Sequence, residues 1–273
     1  MSNSYQHVIP QAYLRGFGFK KFNTKWFVSV KNIEKNIWED REIRRFLGEK
    51  GIYTLNRTRN ISKLIIEKNL NGGIEKRMGT IIKQLNRKED LTANIHLALA
   101  ETTANLFCRN HMVRKWIKNW LKRDNLRDFF NHIISSVPQA LNKQEEIFLM
   151  INSLPVKDKI NNYMVFYMNY VSALLQSMSL EVINGNGLIF TSDNPVCIMG
   201  EGGFGELEKN DTKFYFPLSS NYLIHFHRVT DTTITREYVE TSKELYDHFH
   251  MTVLPKWADK FIISPLNKVE LNR

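Results

Sequence analysis

Apolar positions change their spacing twice along this chain, and the two changes divide it into three stretches. Between residues 26 and 30 they alternate weakly, which predicts a strand. A turn and second strand follow over 32–38, then a polar, helix-like stretch over 40–46. From residue 61 the spacing becomes helical. Helices are expected over 61–70 and 73–85, with Asn71-Gly72-Gly73 as the break between them. Leu91, Ile95, Ala98, Thr102, Leu106, Val113, Ile117 and Trp120 fall close to one helical stripe, so 91–121 reads as the longest helix, capped by Asp90 or Thr92. Further helices are predicted over 126–135, 143–151 and 157–179. Beyond residue 180 the pattern turns to short β-type runs, at 180–182, 188–191, 213–216, 223–227 and 261–264, with one helical run over 242–252.

Neither terminal third holds enough strands to form a stable sheet alone. The expected architecture is therefore α+β: a mostly helical central bundle packed on a mixed sheet built from N-terminal and C-terminal strands. No linker or repeat stands out, which suggests one domain over 1–273. Its parts would be an N-terminal motif with strands (1–56), a helical core (61–179) and a strand-rich remainder (180–273).

Composition fits a globular chain, with 42% hydrophobic and 24% charged residues in 273. Two cysteines are too few for a disulfide framework, the opening residues lack a signal-peptide pattern, and no apolar run approaches the ~18 residues of a membrane span. A cytoplasmic protein that avoids the membrane is the expectation. Charge changes the picture more. The 38 Lys and Arg against 28 Asp and Glu leave a net charge of +10, a field that attracts polyanions, so RNA or DNA is an expected partner through a basic surface.

Two short motifs carry most of the candidate chemistry. The first runs from His7 to Phe17, where Pro10 suits a helix start and Gly16 a helix stop, so a short helix with His7 in the loop before it is expected. His7 can exchange a proton near neutral pH. Gln11 and Arg15, four residues apart, share a face of that helix. The second motif is Thr191-Ser192-Asp193-Asn194-Pro195, at the end of the apolar run Leu188-Ile189-Phe190. Asp193 can serve as a general base or hold a divalent cation, while Ser192 and Asn194 can bind phosphate or orient a substrate. The same side chains also suit a simpler role, closing a turn through local hydrogen bonds.

The spacing H-x-x-P-Q-x-Y-L-R-x-F, joined to T-S-D-N-P and to Pro217-Leu218-Ser219, resembles the uncharacterised family called domain of unknown function 4238. The resemblance covers most of the chain. It implies that His7, Pro10, Gln11, Tyr13 and Leu14, with Thr191, Ser192, Asp193, Asn194 and Pro195, are the matching motif positions, and it implies no activity, substrate or cofactor. Ser220 stands where that pattern usually closes with a second proline.

Elsewhere, Glu101, Asn105 and Arg109 recur every four residues on an otherwise apolar helix. Glu101 and Arg109 lie ~12 Å apart along the axis and cannot pair, so the row either faces solvent or lines a pocket shared with His7 and Asp193, with Arg109 as an anion clamp. A basic stretch from Arg109 to Arg127 interleaves Trp116 and Trp120, which suits phosphates and stacked bases, or equally a core stripe beside a solvated face. His225-Phe226-His227 places two imidazoles on one strand face, but no neighbouring carboxylate or cysteine spacing supports a metal. His248-Phe249-His250 is expected on a helix. Gly200 to Gly205 reads as a loop or lid.

Two functions follow as expectations. One is a phosphoester-hydrolysing enzyme acting on RNA or DNA, in the manner of a bacterial toxin or anti-phage effector. In it His7, Gln11 and Asp193 are catalytic, and Arg15, Glu101, Asn105, Arg109, Ser192 and Asn194 bind substrate. The other is a non-catalytic module that binds a nucleotide or a protein through the same His7 and Asp193 pocket.

Overall fold

A computed structural model describes residues 5–21, 25–54, 74–228 and 233–271. The helix expected over 61–70 and the break at 71–73 lie outside the described residues. The fold is α+β, with strands from both ends of the chain around a helical centre.

The strands divide among three sheets rather than one. Strands β2 (Phe19–Lys21), β3 (Lys25–Asn32) and β4 (Ile37–Glu42) join β7 (Thr191–Ser192) and β12 (Phe261–Ser264), with β3 central and the order β2-β3-β12-β7. Val30 lies opposite Ile263 in that register, and Ile263 opposite Thr191, so the expected union of N-terminal and C-terminal strands occurs here. The remaining late strands form a second sheet ordered β11-β6-β10-β9-β8: β11 (Arg236–Glu240), β6 (Ser179–Asn184), β10 (Tyr222–His227), β9 (Lys213–Ser219) and β8 (Cys197–Met199). A tight β9–β10 turn at Ser220-Asn221 makes this group self-sufficient, which is why it needs no strand from the N-terminal third. A small third sheet pairs β1 (Tyr5–His7) with β5 (Gly48–Lys50).

The helices follow the predicted stripes closely, with two corrections. The run expected over 91–121 is two helices, α3 (Ala93–Arg109) and α4 (His111–Trp120), because Asn110 adopts an extended backbone and accepts a hydrogen bond from the Val113 amide at 2.8 Å. An asparagine that caps the next helix ends the one before it. Thr92 caps α3 as expected, accepting from the Ile95 amide. Among the described residues the longest helix is α7 (Val156–Gln176), preceded by α2 (Ile74–Asn86), α5 (Leu126–Ile134) and α6 (Gln144–Asn152). The polar stretch over 40–46 is not a helix: β4 continues to Glu42, and a single 3-10 turn spans Ile43–Arg45.

The second sheet presents its apolar face to the helices. Phe107 of α3 meets Phe214 edge-on at 6.0 Å, His96 meets Phe226, and Tyr13 from α1 (Gln11–Arg15) stacks on Phe216 at 5.8 Å. These rings are almost wholly buried, and each phenylalanine among them is worth about 2–3 kcal/mol in apolar transfer. Trp116 and Trp120 belong to a further aromatic cluster with Phe129, Tyr163 and Tyr167 between α4, α5 and α7. Lys115, Lys118, Lys122, Arg123 and Arg127 are exposed. That combination is the core stripe with a solvated basic face. Among the described residues no helix is long and apolar enough to cross a membrane.

Candidate functional site

The N-terminal motif is assembled around Arg109. His7 closes β1 instead of standing in a loop, and its carbonyl oxygen accepts a hydrogen bond from the Arg109 guanidinium. That guanidinium is buried, lies 5.2 Å from the centre of the Tyr53 ring, and donates through Nε to the Tyr53 hydroxyl at 3.3 Å. Gln6 ties the same segment down, since its Oε1 accepts from the Tyr53 amide at 2.7 Å and its Nε2 donates to Thr54. Arg109 thus clamps a backbone carbonyl, a neutral acceptor.

The His7 ring has both nitrogens engaged. Nε2 is 2.9 Å from Gln11 Nε2 and Nδ1 is 3.2 Å from the Phe46 carbonyl oxygen. An amide nitrogen only donates and a carbonyl only accepts, so the ring is the neutral tautomer carrying its proton on Nδ1. Burial pushes its pKa below 6.5, the Phe46 carbonyl pulls it back, and the Arg109 charge lowers it again. Arg15, by contrast, is exposed at the helix end.

The T-S-D-N-P motif spends its side chains on a neighbouring loop. Asp193 Oδ1 accepts from the Asp259 amide at 3.0 Å and Oδ2 from the Lys260 amide at 2.8 Å. Burial raises its pKa, and the amides of Lys260, Asp259 and Phe261 pull it back. Asn194 Nδ2 donates to the Trp257 carbonyl at 2.9 Å, and Ser192 Oγ closes a local turn by donating to the Asn194 carbonyl and accepting from its amide. Both Asp193 oxygens serve backbone, an arrangement that matches the turn-closing role and leaves few lone pairs for a cation.

The two motifs meet through Tyr13, whose hydroxyl reaches Thr191 Oγ1 at 2.6 Å and the Pro217 carbonyl at 2.7 Å. Burial drives this phenol's pKa far above 10.0, so it remains a donor. Gly16 abuts the third motif element: its carbonyl accepts from the Ser220 amide, and a Cβ at Gly16 would lie 3.1 Å from the Tyr13 carbonyl and 3.3 Å from Ser219 Cβ. The fit there needs glycine for close approach.

Between the motifs lies a cleft of about 260 Å³, walled by Val8 and Ile9 from one and Asp193 and Asn194 from the other. Its cationic lining is Arg41, Arg45 and Lys260, with His111 at one side. Arg41 lies 5.0 Å from the Phe261 ring centre and pairs with Glu39. His111 Nε2 stands 3.0 Å from Glu49 Oε1. A second hollow of about 580 Å³ shares His111 and Asp259 with the first and adds Lys115, Lys256, Trp116, Phe204 and Trp257. The glycine-rich segment expected as a loop or lid is pinned here, because Phe204 packs on Trp116 and Trp257 and its carbonyl accepts from Tyr167.

Of the residues singled out by sequence, His7, Gln11 and Arg109 come together, as do Ser192, Asp193 and Asn194. Glu101 does not join them: it pairs with Arg77 in a separate groove between α2 and α3. Asn105 is buried against Met168 of α7, its Oδ1 without a hydrogen-bond partner. Sequence reasoning passed over Arg41, Arg45, Glu49, Lys256 and Lys260, which share no spacing and meet only through β4, the 3-10 turn after it, β5, the short helix Leu254–Trp257 and the turn before β12. It also passed over Glu181, which β6 places beside His225 and His227. His250 lies in a π-helical turn, Phe249–Val253, that extends α8 (Lys243–His248), and its Nε2 accepts from the Phe190 amide.

No curated protein and no solved structure matches the chain. A family model does, over residues 5–265, and it spans every motif described above. The chain accordingly belongs to the family described as "Protein of unknown function (DUF4238)".

Proposed function

We propose that this protein binds nucleic acid along the double cleft and hydrolyses a phosphoester there, with His111 as its acid–base group. The observation that carries the reading is the position of His111, which lines both hollows and is held at Nε2 by the Glu49 carboxylate. A carboxylate partner fixes the tautomer and leaves Nδ1 to take a proton. In the reaction, Nδ1 removes a proton from water, the water oxygen forms a bond to phosphorus, and the leaving oxygen departs and is protonated from solvent. Arg41, Arg45 and Lys260 on one side, with Lys115 and Lys256 on the other, neutralise backbone phosphates. Trp116 and Phe204, each partly exposed, offer ring surface for bases in the second hollow.

A second reading, binding without chemistry, draws support from the saturation of His7, Gln11, Asp193 and Asn194 by framework hydrogen bonds. One experiment separates the two. Labelled single- and double-stranded RNA and DNA are incubated with the purified chain, with magnesium or chelator, beside His111→Gln and Lys115→Glu/Lys256→Glu. Hydrolysis predicts cleavage by the parent, retained binding without cleavage by His111→Gln, and loss of both in the double variant. Binding without cleavage by the parent moves the conclusion to the second reading, and no binding by any protein sinks the first and confines the second to a small nucleotide or a protein partner. As a toxin or anti-phage effector, the chain should arrest growth when induced in a bacterial host while His111→Gln does not.

A further inference from the structure

On β10, His225 and His227 project from one face, and the antiparallel register sets Glu181 of β6 directly opposite His225. Glu181 Oε2 lies 2.7 Å from His225 Nδ1, and Oε1 lies 3.3 Å from His227 Nε2. One ligand atom from each of the three falls within 4.8 Å of the other two. The imidazoles are near-parallel, 5.0 Å apart, and the Tyr215 ring stacks on His225 at 4.4 Å. His225 is only 8% exposed. His227 Nε2, although it faces the carboxylate, is buried and makes no hydrogen bond.

A carboxylate between two stacked imidazoles invites positive charge, but protonating both rings would set two cations side by side. A single divalent ion resolves the conflict. It draws on a nitrogen lone pair from each ring and on the carboxylate at once, and it engages His227 Nε2, which stands 3.3 Å from Glu181 Oε1 without hydrogen-bond geometry. We propose that Glu181, His225 and His227 form a divalent transition-metal site of the zinc class, with a remaining coordination position for water or a substrate oxygen.

The spacing fits that assignment. Ligand atoms ~2.0–2.1 Å from a tetrahedral zinc lie about 3.3 Å from one another. The two imidazoles contact different oxygens of Glu181, at 2.7 Å and 3.3 Å, and with one ligand atom per residue all separations are within 4.8 Å, so gathering them on one ion takes shifts of at most about 1.5 Å. All three ligands stand on paired strands, which hold their geometry better than loops do. Side-chain exposures of 23% at Glu181 and 19% at His227 leave a path from solvent. The site uses no residue of the cleft, so it stands or falls independently of the proposed hydrolysis.

The test uses the untagged full chain, stripped with chelator and titrated with zinc by calorimetry and with cobalt(II) by visible absorption. One ion per chain is expected, with the cobalt bands of a four- or five-coordinate centre. Glu181→Gln, which keeps shape and polarity, and His227→Ala should each weaken binding at least about tenfold with unchanged circular dichroism. Failure of the parent to hold either ion overturns the assignment. So does equal affinity in the parent and Glu181→Gln, whatever the folding of His227→Ala.

Discussion

The Tyr13 hydroxyl joins Thr191, a residue 178 positions away, through a hydrogen bond of 2.6 Å, and also donates toward the Pro217 carbonyl at 2.7 Å. One phenol thereby holds together all three motif elements, each supplying an atom that is buried and otherwise costly to leave unpaired.

Removing that oxygen should be expensive although the ring remains. Tyr13→Phe strands the Thr191 hydroxyl and the Pro217 carbonyl in a dry site, and the expected loss is about 1–3 kcal/mol in urea unfolding. In a double-mutant cycle with Thr191→Val the two losses should be markedly non-additive. Simple additivity would show that the two residues do not communicate.

Asp193 gives a prediction that separates structure from chemistry. Its carboxylate caps the amides of Asp259 and Lys260, so Asp193→Ala should cost about 3 kcal/mol of stability, the scale of hydrogen bonds to a charged acceptor. The folded fraction should still cleave, since Asp193 supplies no reacting atom, although its affinity for nucleic acid falls as Lys260 is displaced. A variant as stable as the parent would contradict the capping role.

His96 supplies a pH dependence. Its Nε2–H donates to the Leu175 carbonyl at 3.0 Å, and its Nδ1 accepts from Arg236 Nε at 3.0 Å, so the ring is neutral and its pKa is held below 6.5, first by burial and then by the arginine. The unfolded chain takes up this proton more readily than the folded one. Stability present above 6.5 is therefore lost as pH falls from there through the depressed folded value. The urea midpoint should drop between about pH 7 and about pH 5, and His96→Gln should shrink the drop. An undiminished drop in that variant would assign it to other groups.

The cleft makes a salt-dependent prediction. If Lys115 and Lys256 each neutralise a phosphate, replacing both with Ala should lower the slope of log affinity against log salt by about 2. A parallel shift with unchanged slope would place the nucleic acid elsewhere.

Much of the fold was legible because amphipathic helices write their period into the sequence. The helices found at Leu126–Ile134, Gln144–Asn152 and Val156–Gln176 lie within a few residues of the stretches expected, and the strand Phe261–Ser264 coincides with its prediction. What failed was short-range or long-range in a way periodicity does not record. The break at Asn110 depends on one side chain choosing to cap, without a glycine or proline to announce it. Strands as short as Gly48–Lys50 and Cys197–Met199 carry too few alternations to read. At the site, the motif residues were visible, but their employment was not. Asp193 reads alike as a base or a cap until residues 259 and 260 arrive beside it. Glu181 has no motif at all, since its partnership with His225 is fixed by cross-strand register.

The pairing of β3 with β12 has a consequence for how the molecule is made. Val30 leaves the ribosome 233 residues ahead of Ile263, its partner across the sheet. The first sheet cannot close, nor can Asp193 find the amides of Asp259 and Lys260, until residues 259–264 have been synthesised. Such non-local closure carries a large loop entropy and slows folding. A nascent chain would thus wait with the N-terminal strand edge unpaired, the interval in which chaperones are most needed and in which a chain cut short before residue 259 would never acquire its cleft.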